Sequence, residues 1–390
     1  MPTIRPSLLE LFGAFFRVGL TSFGMAILQS LKQMSLRRGF VSEAEIEEGL
    51  ALVQLYPGPL MVDLVAYIGY LRRGPWGALA AAAGMLAPAT LMMLVLAALY
   101  QRYGTLPAVV AMLPGLGALV VGVVLNVTLD FAQKNLNGHA DALLALLAFS
   151  MGALGGNMVW VVGIGIAAGA VMWRHQQGDK IEKSNASLPW RRLALPSLMG
   201  SLLVALAVSA LLWPGPSSAL LLTFMKIGSI AFGNGATILP IMQQAVVVEH
   251  QWLDPAQFSA AIALGQITPG PILNSATFVG WQVAGLAGAL AATFAIFAPS
   301  IVMTMIFTEL FTHVRHLAAV RGAIRGVMAS FVGMLAWVTI SLGQHAFAQP
   351  MAWVLVGAAL VALRYLKWDT LRVFGLGLLV WAAAIQLGLI

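Results

Sequence analysis

Cysteine is absent from the 390-residue chain, and histidine occurs only six times. The absence of cysteine excludes disulfide bonds, thiol nucleophiles and cysteine-bound metals. The histidines fall at or near expected connections between helices, at positions 139, 175, 250, 313, 316 and 345. The sequence contains no zinc-ligand spacing, phosphate-binding loop or nucleophile elbow. We therefore expect neither an enzyme nor a protein that holds a cofactor or a metal.

Charged residues are scarce as well, at 9% of the chain, whereas 60% of the residues are hydrophobic and the mean hydropathy is +0.90. Ordinary water-soluble domains of this size do not have such a composition. Several apolar runs exceed the roughly 20 residues that cross a ~30 Å hydrocarbon layer, among them 76–100, 193–213 and 286–311. The sequence thus predicts an all-α polytopic membrane protein.

The net charge of +7 does not indicate a nucleic-acid partner, because the cations are scattered among connections and form no basic face. Loop lysines and arginines more often set the orientation of a membrane protein. Residues 1–10 contain Pro2, Pro6 and Glu10 and lack an uninterrupted apolar core with a cleavage site. We therefore expect no signal peptide, and we expect the first helix to be retained.

One sequence block occurs twice in equally apolar surroundings. Gln54–Pro59 reads Gln-Leu-Tyr-Pro-Gly-Pro, and Gln266–Pro271 reads Gln-Ile-Thr-Pro-Gly-Pro 212 residues later. Proline lacks a backbone donor and glycine favours no single conformation, so each block ends a helix on both sides. Such a break at membrane depth is tolerated only against protein or water. We expect the two breaks to face each other across a polar cavity where a solute binds.

The helices beside the first break are too short to cross a membrane alone. At 1.5 Å per residue, the helix expected over 43–56 would be about 21 Å long and that over 60–71 about 18 Å. The simplest arrangement is a re-entrant or broken-helix hairpin at each Pro-Gly-Pro. Helix-start signals open both hairpins, a capping box at Ser42 and Glu45 and the pair Asp254 and Pro255.

The repeat extends well beyond the two breaks. Met225–Gly233 resembles Phe16–Gly24, which lies in a first helix expected over 7–38. After the breaks, glycines and prolines correspond at an offset of 211, namely Gly74, Gly77 and Pro88 with Gly285, Gly288 and Pro299. The chain is therefore a duplication of one unit.

We divide the chain into a first transporter repeat over 1–173, a basic polar linker over 174–192, an unpaired transmembrane helix over 193–213 and a second repeat over 214–390. An unpaired crossing inverts the second copy if the first copy has an even number of crossings. The basic loop residues also differ between the copies, as inversion would leave them. We predict two inverted homologous halves, but loop charge does not fix the absolute orientation.

Two cations are expected near mid-membrane, at equivalent positions of the repeat. Arg17 lies about ten residues into the first helix, roughly 15 Å at 1.5 Å per residue, and Lys226 lies about as far past Pro216. Placing a charged side chain at the centre of a bilayer costs roughly 2.5 kcal/mol or more, so such a residue is by default a candidate functional residue. The alternative is that each cation reaches the interface or pairs with a lone acid such as Asp63 or Glu309.

Two such cations beside two helix amino termini, which carry partial positive charge, describe an anion site. Backbone amides at the breaks, around Gly58 and Gly270, would add donors. Polar side chains close in sequence are Ser22, Gln54, Asn234, Gln266, Thr268 and Asn274, with Thr21, Tyr67 and Ser275 nearby. Each of these side chains could instead make a hydrogen bond between packed helices. The matched positions of Gln54 and Gln266 favour a binding role for these two.

Asp63 is an acid four residues past the first Pro-Gly-Pro, and its repeat equivalent is near Asn274 or Ser275. Its carboxyl group could carry a coupling proton. It could equally neutralise Arg17, and the residues leave both interpretations open.

Three stretches resemble the chromate ion transporter family: Phe-Arg-Val-Gly-x-x-Ser-Phe-Gly at Phe16–Gly24, Leu-x-Gln-x-x-Pro-Gly-Pro at Leu52–Pro59 and Gly-Tyr-x-x-x-Gly-x-x-Gly-Ala at Gly69–Ala78. The resemblance continues through the second copy, and the length matches the two-domain form. It implies a multi-pass protein of the bacterial inner membrane that exports chromate and gives chromate resistance, with its halves in opposite orientation. Met25 departs from the family, which often has a second glycine there.

We therefore predict a secondary transporter that moves chromate outward, with the dianion held between the repeats by Arg17 and Lys226. A transporter of sulfate or a related tetrahedral oxyanion would use the same site. An intramembrane enzyme would need acids, histidines or metal ligands converging at depth, and a purely structural subunit would not need two buried cations. Faces rich in Trp, Gly and Ala leave a homodimer open.

Overall fold

The computed structural model describes residues 5–21, 26–173, 190–233, 236–314, 318–346 and 350–388. Its first half is helical apart from one two-residue strand at the first break. The elements in chain order are α1 (Leu8–Thr21), α2 (Ala26–Arg37), α3 (Glu43–Leu52), β1 (Gly58–Pro59), α4 (Leu60–Tyr103), α5 (Pro107–Asn135), α6 (His139–Ala153) and α7 (Met158–Met172).

The second half follows one additional helix, α8 (Trp190–Leu212), and differs from the first in its short elements. Short 3-10 turns lie at Ala236–Ile238 and Ile272–Asn274, and a π-helix lies at Gln244–Glu249. The other elements are α9 (Pro216–Ser229), β2 (Phe232–Gly233), α10 (Leu239–Gln243), α11 (Pro255–Ile267), α12 (Ser275–Val314), α13 (Ala318–Ala346), α14 (Pro350–Arg364) and α15 (Thr370–Gln386).

Within the described residues, five helical segments are long and apolar enough to cross a membrane. They are Leu60–Tyr103, Pro107–Asn135, Trp190–Leu212, Ile272–Phe311 and Ala319–Gln344. This confirms the predicted all-α membrane protein. Helix α8 begins inside the linker that we expected over 174–192, of which residues 174–189 lie outside the described part.

Both hairpins begin at the predicted caps. The hydroxyl group of Ser42 accepts a hydrogen bond from the Glu45 backbone N–H, and the Glu45 carboxylate accepts one from the Ser42 N–H. Asp254 and Gln257 form the same reciprocal pair at α11. Helix α3 ends at Leu52, four residues earlier than expected, because a residue before proline is disfavoured in helical geometry and the chain already turns ahead of Pro57.

Helices α4 and α12 each fold back on themselves, so each contains two of the predicted segments. The reversals occur at Gly74, with φ 59° and ψ −151°, and at Gly285, with φ 59° and ψ −147°. A Cβ atom at Gly69 would overlap the carbonyl of Gly77, which is impossible in a straight helix. The segment from Leu60 to the reversal is therefore the short half-helix that the sequence predicts.

The first helix, expected over 7–38, corresponds to two described segments. These are α1 and α2, and residues 22–25 between them lie outside the described part. In the second half the equivalent helix α9 ends at Ser229 and is followed by the extended pair Phe232–Gly233. Glycine favours helix poorly, so a Phe-Gly pair is a natural place for a helix to stop.

The halves are interlocked. Helix α13 packs on α6 and α7 of the first half, and its counterpart α5 packs on α14 and α15 of the second. Small residues allow close approach: a Cβ atom at Gly326 would overlap the Gly165 carbonyl, and one at Gly333 the Ala145 carbonyl. Neither half therefore completes its core alone.

The equivalent helices α5 and α13 run antiparallel and cross at equivalent residues. The hydroxyl oxygens of Thr128 and Thr339, which are 211 residues apart, lie 3.2 Å from each other. Just past the carboxyl end of α5, Asp141 forms two hydrogen bonds with Arg325 near the amino end of α13. This geometry is a two-fold relation perpendicular to the helices, as predicted for inverted halves.

Candidate functional site

The first break is held by the backbone of the second half. Gly58–Pro59 pairs in parallel with Phe232–Gly233, so that Gly58 lies opposite Phe232. The 3-10 turn Ala236–Ile238 that follows β2 contacts the 3-10 turn of the second break. The two Pro-Gly-Pro blocks therefore belong to one centre.

At this centre Gly58 lies against Asp63. A Cβ atom at Gly58 would overlap Oδ2 of Asp63, so a residue without a side chain is required here. Asp63 is fully buried in the first turn of α4, and neither carboxyl oxygen has a hydrogen-bond partner among the described residues. The position favours negative charge through the helix amino terminus.

Hydroxyl groups from α12 face Asp63, but they already have acceptors. Ser300 donates to the Phe297 carbonyl at 3.1 Å, and Thr304 donates to the Ser300 carbonyl at 2.9 Å. The Tyr56 hydroxyl, from the turn before the break, donates to Thr304 at 2.7 Å. Tyr56, Ser300 and Thr304 were not identified from the sequence as candidate site residues. Ser300 and Thr304 stand where the first repeat has Ala89 and Met93, and that difference was the available signal.

The second break packs against the first half in the equivalent way. A Cβ atom at Gly270, whose φ is +109°, would lie 2.8 Å from the Ala89 side chain. Asn274 is fully buried, and its Oδ1 accepts hydrogen bonds from Thr90 at 3.1 Å and from Thr277 at 3.2 Å. Each break thus contacts the long helix of the other half just past its interior proline.

Arg17 and Lys226 occupy equivalent places on α1 and α9. Gly19 on α1 packs against the carbonyl of Met85, and Gly228 on α9 packs against that of Ile296. Both cationic side chains are exposed, and neither forms an ion pair with another described residue. Lys226 lines a small cavity that also contains Asn157, Glu249 and His250.

The proposed pairing of the cations with lone acids is wrong within the described residues. Asp63 has no charged partner. Glu309 accepts a hydrogen bond from Tyr70 and lies 4.0 Å from Arg192. Arg17 therefore does not neutralise either acid.

The remaining predicted site residues differ in their surroundings. Gln54 is exposed, because the helix ends before it, and Gln266 is half-buried on α11. Thr268 is buried and donates to the Gly265 carbonyl at 3.3 Å. Ser22 and Asn234 lie outside the described residues.

The structure gathers Gly58, Asp63, Gly270 and Asn274 around the breaks. It shows no contact between these four residues and the two cations, Arg17 and Lys226.

Comparison with known proteins gives one consistent answer. A family model described as chromate transporter matches residues 9–170 and 218–387. An uncharacterized transporter of Methanocaldococcus jannaschii is 32% identical over 341 residues, covering 86% of this chain and 84% of its own. A chromate transport protein of Cupriavidus metallidurans is 29% identical over 369 residues, covering 93% and 89%.

A probable chromate transport protein of Synechococcus elongatus is 28% identical over 355 residues, covering 87% of this chain and 85% of its own. No solved structure matches the chain. The two regions matched by the family model fall on either side of α8, as expected for two homologous halves.

Proposed function

Since the chain belongs to the chromate transporter family, we propose that it is a secondary transporter that exports chromate across the bacterial inner membrane. It is a membrane transport protein and not an enzyme. The dianion is held where the two halves meet, between the Pro-Gly-Pro breaks. The observation that carries this proposal is the single centre formed by both breaks, with Gly58 paired to Phe232 and Gly270 packed against Ala89.

Helix amino termini support an anion at this centre. The segments after the breaks start at Leu60 and Ile272, and their cap positions, Pro59 and Pro271, provide no side-chain hydrogen bond. The first N–H groups of a helix need external acceptors, and the aligned peptide dipoles favour negative charge. The oxygens of a tetrahedral dianion would supply such acceptors.

Arg17 and Lys226 would compensate the two negative charges. Their helices pack beside Met85 and Ile296, in the same stretches of α4 and α12 that touch the opposite break. Long cationic side chains without described partners can reach toward an arriving anion. Gln54 and Gln266, with Ser22, Thr268 and Asn234, would act as further donors in this proposal.

The membrane potential would drive export. Moving one elementary charge across 100 mV changes its free energy by about 2.3 kcal/mol. A dianion that leaves a negative interior without another ion therefore lowers its free energy by about 4.6 kcal/mol. Transport in this direction needs no nucleotide hydrolysis.

The test is uptake of labelled chromate by inside-out membrane vesicles with an imposed potential. Arg17→Ala and Lys226→Ala should each lower the flux about tenfold to a hundredfold, as expected when a hydrogen bond to a charged group worth roughly 1.5–3 kcal/mol is lost. Lys134→Ala, which removes an exposed cation at the end of α5, is the matched control.

Wild-type flux in Arg17→Ala, at an unchanged amount of protein in the membrane, would refute the site. Excess unlabelled sulfate is added in a parallel measurement. If it suppresses chromate flux, the site accepts tetrahedral dianions in general, and labelled sulfate uptake then compares the two substrates directly.

A further inference from the structure

The two breaks differ at one equivalent position, where the first half has an acid and the second an amide. Asp63 and Asn274 are 211 residues apart, and both are fully buried. Both carboxyl oxygens of Asp63 and the Nδ2 of Asn274 lack a hydrogen-bond partner among the described residues. Buried polar groups without partners are rare in folded proteins, so two at equivalent positions point to a shared ligand.

Asn274 is oriented as a donor. Its Oδ1 accepts a hydrogen bond from the hydroxyl group of Thr90, which leaves Nδ2 as the free end of the amide. An amide nitrogen can only donate. An oxyanion is therefore a matching partner for Asn274.

Asp63 matches an oxyanion only when it carries a proton. A carboxylate accepts and cannot donate, whereas a neutral carboxyl group donates through its O–H. Two negative groups at one site also oppose each other strongly. A bound dianion and an ionised Asp63 are therefore incompatible at this centre.

No cationic side chain described around Asp63 would relieve that conflict. Ser300 and Thr304 face it, but their hydroxyl hydrogens go to backbone carbonyls. The ionisable side chains of the surrounding elements have other partners or none. Tyr56 donates to Thr304, Glu45 pairs with Arg72, and Glu309 accepts from Tyr70. Arg17 forms no ion pair with another described residue. The amino terminus of α4 therefore favours the ionised carboxylate only while the centre holds no dianion.

We propose that Asp63 binds one proton whenever the anion is bound, so that each dianion crosses the membrane with one proton. The number of protons carried with each dianion is one, because Asp63 can bind and release a proton and the amide of Asn274 cannot. The proton comes from water on the side where the anion enters and returns to water where the anion leaves. This inference rests on the proposed function and specifies its coupling.

The experiment measures the chromate concentration ratio at equilibrium across proteoliposomes of the purified protein. With one proton per dianion the net charge moved is one, so 100 mV should support a ratio of about 50-fold, against about 2,400-fold for the bare dianion. A pH difference of one unit should shift the wild-type ratio about tenfold. The equilibrium ratio does not depend on how much protein is active.

Two substitutions change the number of titrating groups. Asp63→Asn makes both positions amides, so the ratio at 100 mV should rise to about 2,400-fold and lose its dependence on the pH difference. Asn274→Asp makes both positions acids, so the ratio should become insensitive to potential and shift about a hundredfold per pH unit. Asp254→Asn is the matched control, because asparagine caps a helix as well as aspartate does, and it should behave as the wild type.

If the chromate concentration ratio of the wild type does not change with the pH difference, the inference is wrong, although chromate transport itself would still stand. A one-charge ratio that persists in Asp63→Asn would also overturn it, since the proton would then travel on the chromate itself. If wild-type proteoliposomes move no chromate, the proposed function fails instead.

If Asp63→Asn folds but does not transport, proton uptake on chromate addition is measured with purified protein in weakly buffered solution. The wild type should take up about one proton per bound chromate by the linkage argued above, and Asp63→Asn none. Equal uptake by both proteins contradicts the role of Asp63.

Discussion

The contact between Gly58 and Asp63 sets the shape of the first break. The backbone of Gly58 pairs with Phe232 on one side and lies against a buried carboxyl group on the other. The sequence predicted a break here from Pro-Gly-Pro chemistry, but it could not predict this contact. The partners of Asp63 on α12 come from the other repeat, and only the packing of the two halves brings them near.

Gly58→Ala tests this contact. The added methyl group would overlap the carboxylate, and overpacking of this kind destabilises a protein by about 1–3 kcal/mol. We expect a lower midpoint of thermal unfolding in detergent and loss of chromate flux. Gly163→Ala is the control, since a Cβ atom there would meet nothing within 4 Å.

The double substitution Gly58→Ala and Asp63→Ala removes the overlapping oxygen atoms, and it should recover much of the lost thermal stability. An unfolding midpoint equal to that of the wild type in Gly58→Ala alone would contradict the close approach of the two residues.

At the scale of elements, the reversals inside α4 and α12 depend on single glycines. Gly74 and Gly285 have almost the same positive φ. The sequence revealed them as a matched pair but did not identify them as turns, because an isolated glycine before an apolar run is also compatible with continuous helix. The caps at Ser42 and Asp254 were predictable, since their hydrogen bonds involve residues three positions away.

Gly74→Ala should open or destabilise the reversal inside α4. A residue with a side chain at φ 59° and ψ −151° carries backbone strain of about 1–3 kcal/mol, although a Cβ atom there would meet nothing within 4 Å. Thermal unfolding should therefore show a clear loss of stability for Gly74→Ala and a similar loss for Gly285→Ala.

Gly375→Ala serves as the control, because a Cβ atom added at Gly375 would also meet open space, and its backbone has no positive φ. If all three alanine variants unfold at the same temperature, the reversals do not depend on glycine.

For the whole molecule, the antiparallel crossing of α5 and α13 fixes how the halves are related. The duplication was readable because offsets of 209 to 212 recur along the chain. The interlocking of the halves could not be read from the sequence. Matched motifs show that two units are similar, but they do not show which helices of one unit pack against the other.

Cysteine labelling tests the inverted relation, and the chain has no native cysteine to interfere. Thr105→Cys lies just before α5, and Ala319→Cys lies at the start of α13; both positions are exposed. A membrane-impermeant maleimide should label these two variants from opposite sides of the membrane.

Asn137→Cys, in the exposed connection after α5, should be labelled from the same side as Ala319→Cys, because Asp141 and Arg325 tie these ends together. Labelling of Thr105→Cys and Ala319→Cys from one common side would show that the halves are parallel.

The exchange of helices between the halves also constrains ancestry. A single-unit ancestor could bury α5 or α13 only by assembling with a second copy inserted the opposite way round, so it would have needed to enter the membrane in both directions. The added crossing α8 gives one polypeptide both directions at once. After that fusion the two units could diverge, and an acid could persist on one side of the centre while an amide occupied the other.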